Sequence, residues 1–217
     1  MNPPEPAKTG PAKTGRAQRT REALIRAGRE LFSERAVDAV AIDDIVRAAD
    51  VAKGSFYNHF TDRDDLVRAV VGQVRAQVEA RVGEVNAGVE DPARRMARAI
   101  CVYQRYALDA PRDARVLIRV HSGLASPNSP LNRGPFDDIS AGLASGRFTI
   151  ATTEAALVFA MGASQAAMAR TSADPQPAAA VSLGQQVCTL ILRGLGVPSA
   201  EADAIAAQAA DEIVRGG

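Results

Sequence analysis

Tryptophan is absent from this sequence, and histidine and cysteine occur only twice each. Neither sign of charge prevails, with 26 Lys and Arg against 25 Asp and Glu. Cys101 and Cys188 form no CxxC pair and no cluster with His, which argues against a zinc or redox motif. Both lie in apolar-periodic stretches and read as buried free thiols of a reducing cytosol, so a cytoplasmic location is expected. A formal charge of +1 announces no globally basic nucleic-acid binder, so any basic surface must be local. No hydrophobic leader opens the chain. The longest apolar run, around 157–169, is broken by Ser164 and Gln165, which argues against a membrane span. No nucleophile–base pair, paired carboxylate or metal-ligand spacing stands out, so no enzyme activity, catalytic residue, metal or cofactor is expected.

What is present is a chain that folds: 47% apolar and 24% charged, long enough for one or two domains. Residues 1–16 carry PAKTG twice in tandem and have little to bury; they read as a disordered basic tail. Lys8, Lys13, Arg16, Arg19 and Arg21 face only Glu5 across that region, which suits either a solvated tail or an arm that touches phosphates. Helical periodicity then takes over. The pattern predicts helices over about 18–35, 42–49, 53–60 and from Thr61 onward, where Thr61 and Asp64 have capping-box spacing. Leu66, Val67, Val70, Val71, Val74 and Val78 form an apolar stripe long enough to leave one domain and enter another. Further helices are predicted from Pro92 to about 108, then over 114–121, 137–144, 153–170, 178–193 and 199–214, the last capped by Ser199. Residues 123–136 read as a turn-rich loop. The expected fold is all-α: a helix-turn-helix head over 17–62 and a helical body over 63–217.

In the stretch VAKGSFYNHF, three of the chain's few aromatics and one of its two histidines fall within five residues. At helical spacing Phe56 and Phe60 share one side, i to i+4, while Gly54, Ser55 and Asn58 lie opposite and Tyr57 and His59 flank. Such a helix is anchored by two phenylalanines and presents its small and polar side to a partner. Ser55 and Asn58 can reach base edges; Lys53, Tyr57 and His59 can donate to phosphates, as can the helix N-terminus. An amphipathic core helix whose polar side meets water is the plainer alternative. The preceding helix and the short turn AADVA, however, complete a helix-turn-helix.

With these residues in view, the region from Ala17 to Val71 resembles the DNA-binding head of the TetR family of bacterial transcriptional regulators. VAKGSFYNHFTDRDDL is its most specific phrase. The resemblance implies that the second helix supports the third, which enters the major groove. Carried onto this chain, it makes Ser55 and Tyr57 DNA contacts, with Lys53, Gly54 and His59 beside them and Arg63 on phosphate. Asp50 departs from the glycine common in the turn, Ala52 from the Ser or Thr that often caps the third helix, and Val40–Ala41 from a Thr pair. Asp43 stands at a position that is basic in some members.

Beyond about Asn86 no sharp motif appears. The resemblance implies a ligand-binding and dimerisation body, with the last two long helices forming a four-helix interface in a homodimer. Gly162, Ala163, Ala166 and Ala167 on one helix, and Ala180 and Gly184 on the other, would allow close packing there. Candidate pocket residues are Tyr103, Tyr106, His121, Phe136, Phe159, Met161 and Gln165, apolar walls with a few polar groups. The expected partners are a near-palindromic double-stranded DNA operator and a small-molecule effector that releases a repressor. The alternative is an all-α small-molecule-binding or interaction protein without sequence-specific DNA binding.

Overall fold

Ten α-helices and no strand make up the regular structure among the described residues, 11–120, 132–150 and 152–216 of a computed structural model. They are α1 (Pro11–Glu34), α2 (Ile42–Ala48), α3 (Lys53–Tyr57), α4 (Arg63–Val85), α5 (Pro92–Asp109), α6 (Pro111–Arg119), α7 (Arg133–Ala144), α8 (Thr153–Ala173), α9 (Pro177–Gly194) and α10 (Ser199–Ala209). A 3-10 turn, Val37–Ala39, precedes α2, and a π-helical segment, Ala210–Arg215, extends α10. The helix α1 takes in residues 11–16, which the sequence reading placed in the tail. The repeat up to residue 10 lies outside the described residues.

The chain divides into two compact units between Val70 and Val71, within α4. The boundary read from the sequence, after residue 62, falls at the start of that helix.

In the first unit Leu24, Phe32, Val40, Ile45, Phe56, Leu66 and Val70 are buried to completion or nearly so. Gly28 lets α1 approach α4: a Cβ there would stand 3.2 Å from Leu66 and 3.3 Å from Val70. Val40, where a Thr was looked for, belongs wholly to this core. The α2–α3 turn is a Schellman motif: Asp50 N–H donates to Arg47 C=O at 3.2 Å and Val51 N–H to Val46 C=O at 3.0 Å. Asp50 therefore takes φ +55°, a left-handed conformation that glycine adopts without cost and aspartate tolerates. The same motif ends α9 with Gly196 at φ +93°.

The cap of α4 differs from the expected one. Asp62, not Thr61, accepts the Asp65 N–H at 2.7 Å, while the Asp65 carboxylate accepts the Thr61 N–H at 3.1 Å. The box is set one residue later than Thr61–Asp64 because aspartate at the cap accepts readily and its partner reaches back.

The second unit is a helical body around Val74, Val78, Ile100, Cys101, Leu157, Ile191 and Leu192. Asp91 caps α5 by accepting the Ala93 N–H at 3.0 Å, ahead of Pro92 in the first turn. Thr152 caps α8 on the Ala155 N–H at 3.1 Å. Pro111 opens α6, since a proline suits the first turn of a helix. Ser199 is already the first residue of α10 and makes no cap bond; Pro198 precedes it. Cys101 and Cys188 are buried and free. Their thiols meet between α5 and α9; this hydrogen bond, with burial, holds the Cys188 thiol well above its usual value.

Candidate nucleic-acid interface

The third helix runs only from Lys53 to Tyr57, shorter than the predicted 53–60, and Phe60 lies just beyond it. Phe56 and Phe60 are 0% and 3% exposed, with ring centroids 5.7 Å apart. Phe56 also meets the Tyr57 ring edge-on at 5.4 Å, and the Arg21 guanidinium lies 5.3 Å over the Phe60 ring. These contacts fix the helix by its apolar side and leave the other side free of the core. Tyr57 is 55% exposed, Lys53, Gly54 and Asn58 are exposed, and Ser55 and His59 are half-buried. A Cβ at Gly54 would meet nothing within 4 Å, so the backbone there is open to approach. Lys53, Gly54, Ser55, Tyr57, Asn58 and His59 are thus all at least partly exposed, while Phe56 and Phe60 are buried.

The charges around that face are paired. Lys53 Nζ lies 2.7 Å from Asp43 Oδ1, and the hydrogen bond with this carboxylate raises the Lys53 pKa above its ordinary value. Arg63 donates to Asp38 twice, to the backbone carbonyl at 3.3 Å and to Oδ1 at 3.2 Å, so it braces the 3-10 turn. Asp44 accepts from Arg47 at 2.8 Å and from Arg35 at 3.3 Å. Asp38 escaped the sequence reading because its partner Arg63 lies 25 residues on in the chain. Ala41 and Ala52 precede α2 and α3 without any side-chain cap bond.

In the body the predicted pocket residues fall in different places. Tyr103, half-buried on α5, donates its hydroxyl to Glu79 Oε1 at 2.6 Å. Burial above all pushes that hydroxyl far above its usual pKa, against the pull of the Arg75 charge. Tyr106, 4% exposed, donates to Asp113 at 3.3 Å and lies 3.5 Å from Gln77 Oε1. Gln165 on α8 donates to the Ile118 carbonyl at 3.3 Å. Phe136 and Met161 are half-buried. Phe159 is 43% exposed and turned toward α9, where a Cβ on Gly194 would strike its ring. His121 lies outside the described residues. Sequence reasoning missed Arg75 and Glu79. The available signal was that Arg75 stands four residues after Val71 and three before Val78, on the buried side of the valine stripe.

Of the small residues read as an interface, Ala180 and Gly184 are buried inside their own chain, Gly184 with Gln104 Cγ 3.4 Å from its Cβ position. Gly162 and Ala166 are exposed. Val158, Phe159 and Leu190 are the large apolar side chains left exposed on α8 and α9.

Residues 24–70 match the family described as bacterial regulatory proteins, tetR family, and residues 91–208 match the tetracyclin repressor-like C-terminal domain. The transcriptional regulator HbdR of Aromatoleum sp. is 33% identical over 97 residues, 45% of this chain and 42% of HbdR. The transcriptional regulator AcuR of Cereibacter sphaeroides is 36% identical over 69 residues, 32% of each chain. The chain thus spans less than half the length of these two relatives. The crystal structure of RolR with the ligand resorcinol is 29% identical, covers 90% of this chain and 96% of RolR, and superposes with a TM-score of 0.61. Matched in its head and over more than half its length in its body, the chain belongs to the TetR family of bacterial regulatory proteins.

Proposed function

We propose that this protein is a transcriptional repressor that binds a near-palindromic operator as a homodimer and leaves it when a small molecule occupies the body. The observation that carries the reading is the third helix, anchored by Phe56 and Phe60 while Ser55, Tyr57 and Asn58 stand toward solvent. Ser55 and Asn58 read base edges, and Lys53, Tyr57, His59 and Arg63 meet phosphates, with Gly54 allowing close approach. One such helix reads one half-site; a second copy supplies the other, roughly 34–36 Å away along the duplex. The exposed Val158, Phe159 and Leu190, with Gly162 and Ala166 beside them, support α8 and α9 as the face that pairs.

No helix among the described residues is long and apolar enough to cross a membrane. We place the protein in the cytoplasm, where its operator is. RolR, which shares the fold and 29% identity, holds resorcinol in its crystal structure, and this supports a small aromatic effector. In the body, the candidate polar groups for such a ligand are Tyr103, Tyr106 and Gln165, and the candidate apolar ones Phe136 and Met161.

The test joins genome-wide mapping of bound sites with fluorescence anisotropy on the sites found. Saturable binding to a two-fold symmetric sequence, with one dimer per site by light scattering, is expected. A monomer that holds a single half-site tightly would contradict the proposal. Retention on bulk DNA that does not fall with salt would favour an interaction protein instead.

A further inference from the structure

Arg75 lies in the body core with its side chain only 5% exposed, a rare place for a guanidinium. Its compensation is incomplete. Glu79, one turn on, approaches its Nε only to 3.6 Å, and among the described residues this Nε has no hydrogen-bond partner. An unmade hydrogen bond on a buried charged group is costly, so such a group calls for an acceptor. The carboxylate beside it is also only half used. Glu79 Oε1 accepts the Tyr103 hydroxyl at 2.6 Å. Oε2 has no hydrogen-bond donor among the described residues and lies 3.8 Å from the Cβ position of the exposed Gly134 on α7, with nothing else within 4 Å of that position.

We propose that Arg75, Glu79 and Tyr103 form the polar end of a site for a small neutral molecule bearing a hydroxyl group. The hydroxyl oxygen accepts from Arg75 Nε–H, and the hydroxyl proton is donated to Glu79. One group on the ligand thereby completes both protein groups. Charge selects this class over an acid: Arg75 and Glu79 already neutralise each other, and a carboxylate placed between them would stand against the Glu79 anion. An apolar molecule of the same shape would leave Arg75 Nε unpaired. The inference rests on the body's being effector-binding and narrows the effector's chemistry.

The experiment titrates the full-length protein, without DNA, with phenol, resorcinol, benzoate and toluene by calorimetry. Phenol or resorcinol is expected to bind saturably, at least tenfold more tightly than benzoate or toluene. Arg75→Met should weaken that binding about tenfold, a loss equivalent to about 1.4 kcal/mol. Glu79→Gln removes the negative charge and leaves the guanidinium unbalanced, so the preference should turn toward benzoate. This inversion is a readout that loss of folding cannot imitate, and thermal unfolding of each variant runs beside it. The inference fails if neither hydroxylated probe binds, if benzoate or toluene binds as well as they do, or if Glu79→Gln leaves the order unchanged. Release from operator DNA is measured separately. Binding without release would leave the site standing and overturn the effector reading, whereas release by an unrelated compound with no binding here would do the reverse.

Discussion

Lys53 Nζ and Asp43 Oδ1 stand 2.7 Å apart, so the ammonium that opens the recognition helix already has a carboxylate partner from α2. Both side chains are more than half exposed, and the hydrogen bond with Asp43 raises the lysine pKa above its ordinary value. A DNA phosphate must therefore compete with Asp43 for Lys53. Asp43→Asn frees the ammonium, and the variant should bind operator and bulk DNA more tightly. Its plot of log affinity against log salt should steepen by about one counterion per protomer, so about two for a dimer on its operator. Anisotropy titrations at several salt concentrations check this; an unchanged slope would mean that Lys53 meets no phosphate.

The exposed side chains of α3 should divide by the kind of contact they make. Tyr57→Phe removes the hydroxyl proposed to meet phosphate, so affinity should fall alike for all sequences. Ser55→Ala and Asn58→Ala should instead change the order of preference among operator variants, by on the order of 1 kcal/mol for a direct base contact. Binding of a panel of single-base variants to each mutant distinguishes the two. Equal losses across the panel for all three would remove the division.

The helices and the exposed polar side of α3 were legible in the sequence because their signals are local. Phe56 and Phe60 at i and i+4, the valine stripe of α4, and Pro92 after Asp91 each act within a turn or two of chain. What stayed hidden depends on partners distant in sequence. Arg63 reads as a free cation until the fold brings Asp38 against it. Ala180 and Gly184 read as interface residues until α5 and the chain end cover them. Arg75 was passed over because a charge on a helix is ordinarily solvated, and only its burial reveals it. Phe159 was assigned to a pocket on hydrophobicity alone, which does not say whether a side chain faces inward or across a surface.

Arg147 clamps two acidic residues in the body. It donates to Asp91 at 2.8 and 3.0 Å and to Glu201 at 3.0 and 2.7 Å, joining the cap of α5 to the first turn of α10. Hydrogen bonding to Arg147, foremost, holds the Asp91 pKa below its ordinary 3.8. A depressed carboxylate pKa contributes stability that is present above the unfolded value and is lost as pH falls through the folded one. Arg147→Met should thus cost roughly 1–2 kcal/mol at pH 7, toward the upper range for a partly exposed but bidentate pair. The difference from wild type should shrink only below pH 3.8, as Asp91 takes up its proton. Urea unfolding of both proteins at pH 7 and in steps below pH 4 measures it. A constant difference across that window would assign Arg147 a packing role instead.

Effector and operator should oppose each other through α4. This helix follows the recognition helix after a short turn that contains Phe60 and Thr61, and its chain continues into the body that carries Arg75 and Glu79. A displacement of its first turns moves Phe60, and with it the spacing of two recognition helices in a dimer. One arrangement then fits DNA and the other holds the effector, so each ligand shifts the population away from the other's. A hundredfold loss of operator affinity corresponds to about 2.7 kcal/mol of coupling, within the usual allosteric range. Linkage requires saturating operator to weaken effector binding by the same hundredfold. Titrating resorcinol into the protein with and without operator measures both sides of the cycle. Equal affinities in the two titrations would show that the compound is no inducer, and tighter binding in the presence of operator would make it a co-repressor.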